Sequence, residues 1–216
     1  MKRLIVLMCV LLTVSACRGQ KKFSADAGEC GDQIGPQITT SKTPTLTGHA
    51  GSIRMYGTLE FNRSEQDAKA KDCHVVYRLF VSTANNAFAE AYRLAWDTED
   101  GEIAGIDLIG FSPNGLKAAA NFWLAAGDGQ ENRPTIYDLR THRALFRSLE
   151  QKLSDRIHRS CDGSYYESVD SVTDEGAVII SVPRVQDCVD GGLWLFDPGT
   201  GSLKQIRKNS GRKPVE

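Results

Sequence analysis

What the chain lacks removes several function classes before any residue is given a role. Lysine plus arginine and aspartate plus glutamate nearly balance, 26 against 27, for a formal net charge of −1. Domains that neutralise phosphates carry a strong basic excess, so no nucleic-acid partner is expected. No apolar run approaches the roughly 18 residues that mark a lasting membrane-spanning helix. The four histidines, His49, His74, His142 and His158, are scattered. None has a histidine or cysteine at ligand spacing, so each reads as a surface residue, with no metal and no cofactor expected. Neither GxSxG nor GxxxxGK[ST] occurs. The acidic stretch Asp97–Ile103 comes nearest to a calcium loop. With Gly101 set at the sharp-turn glycine, however, Trp96 falls where the first carboxylate belongs, and the stretch reads as a turn between strands. Asp187, Asp190 and the glycines beside Cys188 read as a loop. No catalytic residue is assigned, and the chain is expected not to be an enzyme.

The amino end is the most informative segment. Lys2 and Arg3 precede an eleven-residue apolar run, Leu4–Val14, and then the small residues Ser15 and Ala16. A charged start, a short apolar middle and small residues at the cut make an export signal, too short to persist as a membrane helix. Val14-Ser15-Ala16-Cys17 resembles the lipobox of bacterial lipoproteins, with Val14 where that family usually has leucine. The resemblance implies that residues 1–16 are removed as a signal peptide, that Cys17 is acylated, and that residues 17–29 form a lipidated end and tether. It implies location in the cell envelope; Arg18, in place of an aspartate, implies the outer membrane facing the periplasm. Two or more acyl chains hold a protein stably to a bilayer where one does not. The basic C-terminal stretch, residues 208–216, reads as a solvated tail.

Between tether and tail the chain repeats itself. Leu79-Phe80-Val81-Ser82-Thr83-Ala84-Asn85, Ile136-Tyr137-Asp138-Leu139-Arg140-Thr141-His142 and Leu195-Phe196-Asp197-Pro198-Gly199-Thr200-Gly201 align at offsets of 57 and 59 residues. Each is an apolar, aromatic-containing strand running into a polar turn. Upstream, Phe111-Ser112-Pro113-Asn114-Gly115 and Val172-Thr173-Asp174-Glu175-Gly176 align at an offset of 61, each followed by a β-rich run. Strand, glycine-ended turn, strand, loop and a further hairpin make a four-stranded antiparallel meander. These stretches resemble β-propeller blades of the WD-repeat-like and TolB-like kind. The expected fold is therefore mainly β: a single domain over residues 30–207, with blade-like units at about 50–100, 101–160 and 161–207. Ile53–Phe61 would be an inner strand of the first. Propellers close with typically four to eight blades, so three units suggest an incomplete propeller, a β-sandwich of degenerate blades, or closure by oligomerisation. Leu145, Leu149, Leu153 and Ile157, at i+4 spacing, predict one helix over 144–159.

Of the six cysteines, Cys9 leaves with the signal and Cys17 goes to lipid, so four remain. Four in an oxidising compartment suggest two disulfides. A hairpin turning near 174–175 would set Cys161 opposite Cys188, which leaves Cys30 for Cys73; three connectivities are open to the sequence alone. Each bridge would contribute roughly 2–4 kcal/mol. Trp96, Trp123, Trp194, Tyr165 and Tyr166 lie on or beside expected strands. A groove lined by them could take peptide or sugar, although core packing accounts for them as well. The resulting expectation is a lipid-anchored, non-catalytic binding module meeting an envelope protein or glycan. A glycosidase-like hydrolase built from loop-borne carboxylates and a subunit of a larger envelope assembly are the alternatives.

Overall fold

The computed structural model describes residues 23–29, 36–48, 53–64, 66, 73–83, 87–98, 101–126, 129–149, 152, 168–182 and 191–208. Over these residues the chain is mainly β: fourteen strands, every pair antiparallel, in three sheets of which none closes on itself. The first sheet has the order β2 (Gln37–Lys42), β4 (Ile53–Arg63), β5 (Cys73–Thr83) and β6 (Ala89–Thr98), with the two-residue β3 (Leu46–Thr47) also on β4. In the central sheet the order is β1 (Phe23–Glu29), β7 (Ile103–Phe111), β8 (Lys117–Ala126), β9 (Gly129–Asp138) and β10 (Arg143–Phe146). The last sheet runs β11 (Ser168–Val172), β12 (Val178–Val182), β13 (Gly192–Asp197) and β14 (Ser202–Lys208).

Side-chain alternation explains how the sheets stack. In β4 the residues Met55, Gly57, Leu59 and Phe61 are buried while Tyr56, Thr58 and Glu60 between them are half-buried, the period-2 pattern of a strand covered on one face. β5 alternates in the same way, and β12 and β13 do so in the last sheet. β8 differs: Ala118 to Phe122 are all buried, so both of its faces are covered. Ala118, Ala120, Phe122 and Leu124 join Leu59, Val75, Tyr77 and Leu79 of the first sheet in one core. Ala119 and Ile136, on the opposite face, join Val178, Ile180, Trp194 and Phe196 of the last sheet in a second core. The alanines of β8 keep that strand thin enough for sheets to approach from both sides. Gly57 does the same for β4, since a Cβ there would lie 2.2 Å from Ile106 Cδ1.

Local turn chemistry closes the hairpins. Asp138 Oδ1 accepts hydrogen bonds from the N–H groups of Arg140 and Thr141, and Asp197 Oδ1 accepts one from Gly199. Each turn ends on a left-handed residue, His142 (φ 53°) in one and Gly201 (φ 72°) in the other. The turn after β7 and the turn after β11 also meet, as Asn114 N–H donates to Asp174 Oδ1 at 2.8 Å.

Two expectations change. Ala144–Phe146 does not begin a helix: it forms β10, with Ala144 opposite Tyr137 and Phe146 opposite Thr135. The free edge of β9 offers a row of backbone partners that the leucine spacing does not reveal. Leu149 then drops into the second core, and Lys152 N–H bonds back to its carbonyl; the rest of 150–159 lies outside the described residues. The second change is at the tether. Phe23–Glu29 is β1, pairing with β7 in the register Phe23↔Leu108, so only Arg18–Lys22 separates Cys17 from the sheet.

Candidate interaction surfaces

The outward face of the first sheet carries an aromatic cluster. Tyr56 and Phe80 are directly paired across β4 and β5, and their rings stack with centroids 4.8 Å apart. Phe88, just before β6, meets Tyr56 edge-on, also at 4.8 Å. Cations lie on both: Lys42 Nζ is 3.8 Å from the Tyr56 ring centre, and the Arg54 guanidinium is 5.0 Å from that of Phe88. Beside them Arg78 bonds Glu60 at 3.0 Å and approaches Glu90 at 3.6 Å. These two carboxylates share one guanidinium on an open face, an arrangement that holds charge in place rather than presenting an acid and a base to a substrate.

A cavity of about 140 Å³ lies where the β5–β6 end of the first sheet meets the β9–β10 turn; Val81, Thr83, Ala87, Ala89, Tyr137, Leu139 and His142 line it. Its walls are largely apolar, and its polar centre is the hydrogen bond between Tyr137 Oη and His142 Nδ1, 3.0 Å. Burial raises the Tyr137 pKa, so the phenol is neutral at pH 7. Among the described residues, no carboxylate lines this cavity. Beneath it, Lys117 bonds Asp138 at 2.7 Å with both side chains largely covered. That bond, reinforced by the Thr141 N–H, holds the Asp138 carboxyl well below the usual carboxylate range.

At the other seam of these two sheets, the Arg133 guanidinium stacks 3.4 Å from the centre of the Trp96 ring while Glu131 accepts its Nε–H at 2.9 Å. Tyr92 packs between Phe122 and Phe146, and burial lifts its phenol to about 12 despite the opposing charge of Arg133. Leu145 and Phe146, on the edge strand β10, are exposed.

Those residues singled out by sequence that are described do not converge. Trp194 is buried in the second core; Trp123 lies over Gly105, where a Cβ would meet its ring at 2.0 Å; Trp96 sits under Arg133. Tyr165 and Tyr166 lie outside the described residues, as do His49, His158, Cys9, Cys17, Cys30, Cys161 and Cys188. Cys73 is fully buried at the start of β5. His74 pairs with Asp97 across β5 and β6, and both are exposed. Among the described residues no cluster of three metal-ligating side chains forms, and no helix is long and apolar enough to cross a membrane. The aromatic cluster on the first sheet escaped the sequence reading. Its signal was the tyrosine and phenylalanine at outward positions of β4 and β5, where polar residues normally stand. Compared with protein-family models, curated proteins and solved structures, the chain finds no match.

Proposed function

We propose that this chain is a lipid-anchored envelope protein: a non-catalytic β-rich module held against the periplasmic side of the outer membrane, where it meets another envelope protein or a glycan. The observation that carries the reading is a spacing. Cys17, in its lipobox-like setting, precedes β1 by five residues, and β1 is a strand of the central sheet. The six steps from Cys17 to Phe23 reach at most about 22 Å, so an acyl group on Cys17 would hold the whole stack near the bilayer surface. The cavity beside His142, with apolar walls and one polar pair, suits a small contact group from a partner.

The finer fold belongs to the same proposal: three successive blades of an incomplete propeller. Face-to-face packing of three sheets, each with a run of consecutive antiparallel strands, supports it. Two disulfides complete the picture. They are the pairs the cysteine positions suggest, Cys161 with Cys188 and Cys30 with Cys73; Cys30, Cys161 and Cys188 lie outside the described residues. The burial of Cys73 and its bonded sulfur support a bridge at this position.

The test is the intact mass of the protein purified from the membranes of its host, with and without reductant before alkylation. The expected result is a chain beginning at Cys17 with a lipid-sized increment and four further cysteines that alkylate only after reduction. An unlipidated chain with a free thiol at Cys17 would overturn the anchor; alkylation of the remaining cysteines without reductant would overturn the bridges.

A further inference from the structure

In the repeat, Leu79, Ile136 and Leu195 share one position and Phe80, Tyr137 and Phe196 the next. Leu79 and Tyr137 lie in the core between the first and central sheets; Ile136 and Phe196 lie in the core between the central and last sheets. At each of these two junctions, then, the aliphatic residue points forward to the following sheet and the aromatic residue points back to the preceding one. Their cross-strand partners obey the same rule. Gly57 and Ala119 accompany Leu79 and Ile136 forward, while Ala118 and Val178 accompany Tyr137 and Phe196 backward.

Two faces are left over. The forward face of the last sheet carries Leu195, Ile179 and Leu193 with Lys204 and Arg207 opposite them, and the backward face of the first carries Phe80, Tyr56 and Val76 around the Arg78–Glu60 ion pair. The internal counterparts of these residues are buried except Arg133, which stands where Val76 does; all six are only half-buried, and among the described residues no further sheet covers them. We propose that the forward face of the last sheet docks on the backward face of the first sheet of a second copy, so that two copies close reciprocally into a six-sheet ring.

Three considerations select a second copy as the occupant. Leu195 would share a core with Phe80 as Leu79 does with Tyr137 and Ile136 with Phe196, so the new contact continues the packing already present inside the chain. A head-to-tail contact either closes or propagates; rings of such sheets typically hold four to eight, a range that two copies reach and that one or three miss. The last sheet is four strands wide and about six residues long, so its face covers roughly 400 Å² at ~4.8 Å between strands and ~3.3 Å per residue. Two such contacts, counted on both partners, bury roughly 1,600 Å², the size of a stable specific interface. Docking displaces Lys42 and Arg54 from Tyr56 and Phe88 toward solvent. The inference rests on reading the sheets as successive blades and is independent of the lipid.

The experiment is sedimentation velocity and native mass spectrometry of the processed full chain over micromolar to hundreds of micromolar, in detergent where it is acylated. Twice the mass of one chain is expected. A monomer throughout the range, or any other stoichiometry, overturns the ring. Phe80→Asp and Leu195→Asp should each weaken the dimer by roughly 100-fold, as charges placed at an interface centre. Mixing the two variants should restore part of the association, because one of the two contacts in the mixed dimer carries neither substitution while the other carries both. Loss of the dimer in only one variant, or no restoration on mixing, overturns the head-to-tail arrangement. The wild-type mass decides even where a variant fails to fold. A dimer formed by an unlipidated chain supports the ring and overturns only the anchor.

Discussion

Gly57→Ala offers a quantitative test of how the first and central sheets meet. The added Cβ would stand 2.2 Å from Ile106 Cδ1, 3.2 Å from its Cγ1 and 3.6 Å from its Cγ2. β4 is held where it is: Gly57 N–H donates to Thr43 Oγ1 at 3.0 Å, and Gly57 O accepts the Thr43 N–H at 3.0 Å. Ile106 is fully buried, so its terminal methyl has no open space to enter. Overpacking of this kind costs about 1–3 kcal/mol, offset by about 0.5–1 kcal/mol for removing glycine from a strand interior. A net destabilisation of about 1–2 kcal/mol follows. Ile106→Val deletes the offending carbon and by itself costs about 0.5–1.5 kcal/mol. In that background Gly57→Ala should cost about nothing, because only the contacts to the two γ carbons remain. The double variant should therefore be no less stable than Ile106→Val alone, with a coupling of about 1–2 kcal/mol. Urea unfolding followed by tryptophan fluorescence, with m unchanged across the four proteins, measures the cycle. Additivity to within about 0.5 kcal/mol would refute the close approach of β4 and β7.

Asp138→Asn should cost about 1–3 kcal/mol at pH 7, by breaking the covered bond to Lys117 and weakening the turn. Because the folded carboxyl titrates below its unfolded value, its contribution is present above about pH 4 and is lost as pH falls further. The stability gap between variant and wild type should accordingly shrink on acidification; a gap independent of pH from 7 to 2 argues against the ion pair. Leu149→Ala should destabilise by about 2–5 kcal/mol, since Leu149 is fully buried between the central and last sheets, and a loss below about 1 kcal/mol in calorimetry would remove it from that core. His142→Ala keeps the left-handed backbone and loses the Tyr137 bond, whereas His142→Gly loses the bond but relieves the backbone. Glycine should be the more stable of the two by about 1 kcal/mol in urea titrations, and equal stability would contradict the turn geometry.

How far the fold could be read ahead depended on the range of the forces involved. The hairpin ends at Ser112–Lys117 and Asp138–His142 were legible because asparagine, aspartate and glycine set a turn through bonds to their immediate neighbours. The strands around Ile53 and Leu79 were legible from alternation and β-rich composition. Leu145 and Leu149 misled because a four-residue spacing states only that two side chains are apolar at that interval. One proves exposed on an edge strand and the other buried beyond its end. Trp194 and Trp96 could not be told apart in sequence, since the burial of one and the arginine stacked on the other come from strands distant in the chain.

By itself, the sequence determined the antiparallel β character and the positions of the tight turns, because both arise from alternation and backbone preferences within a few residues. Only the tertiary structure decided that β1 pairs with a strand some eighty residues away, that the central sheet is covered on both faces, and that aromatic residues stand on the face of the first sheet that no other described sheet covers. Those outcomes rest on which apolar surfaces can be removed from water together. No local pattern encodes that, since an alternating strand specifies that one of its faces is to be buried without specifying against what.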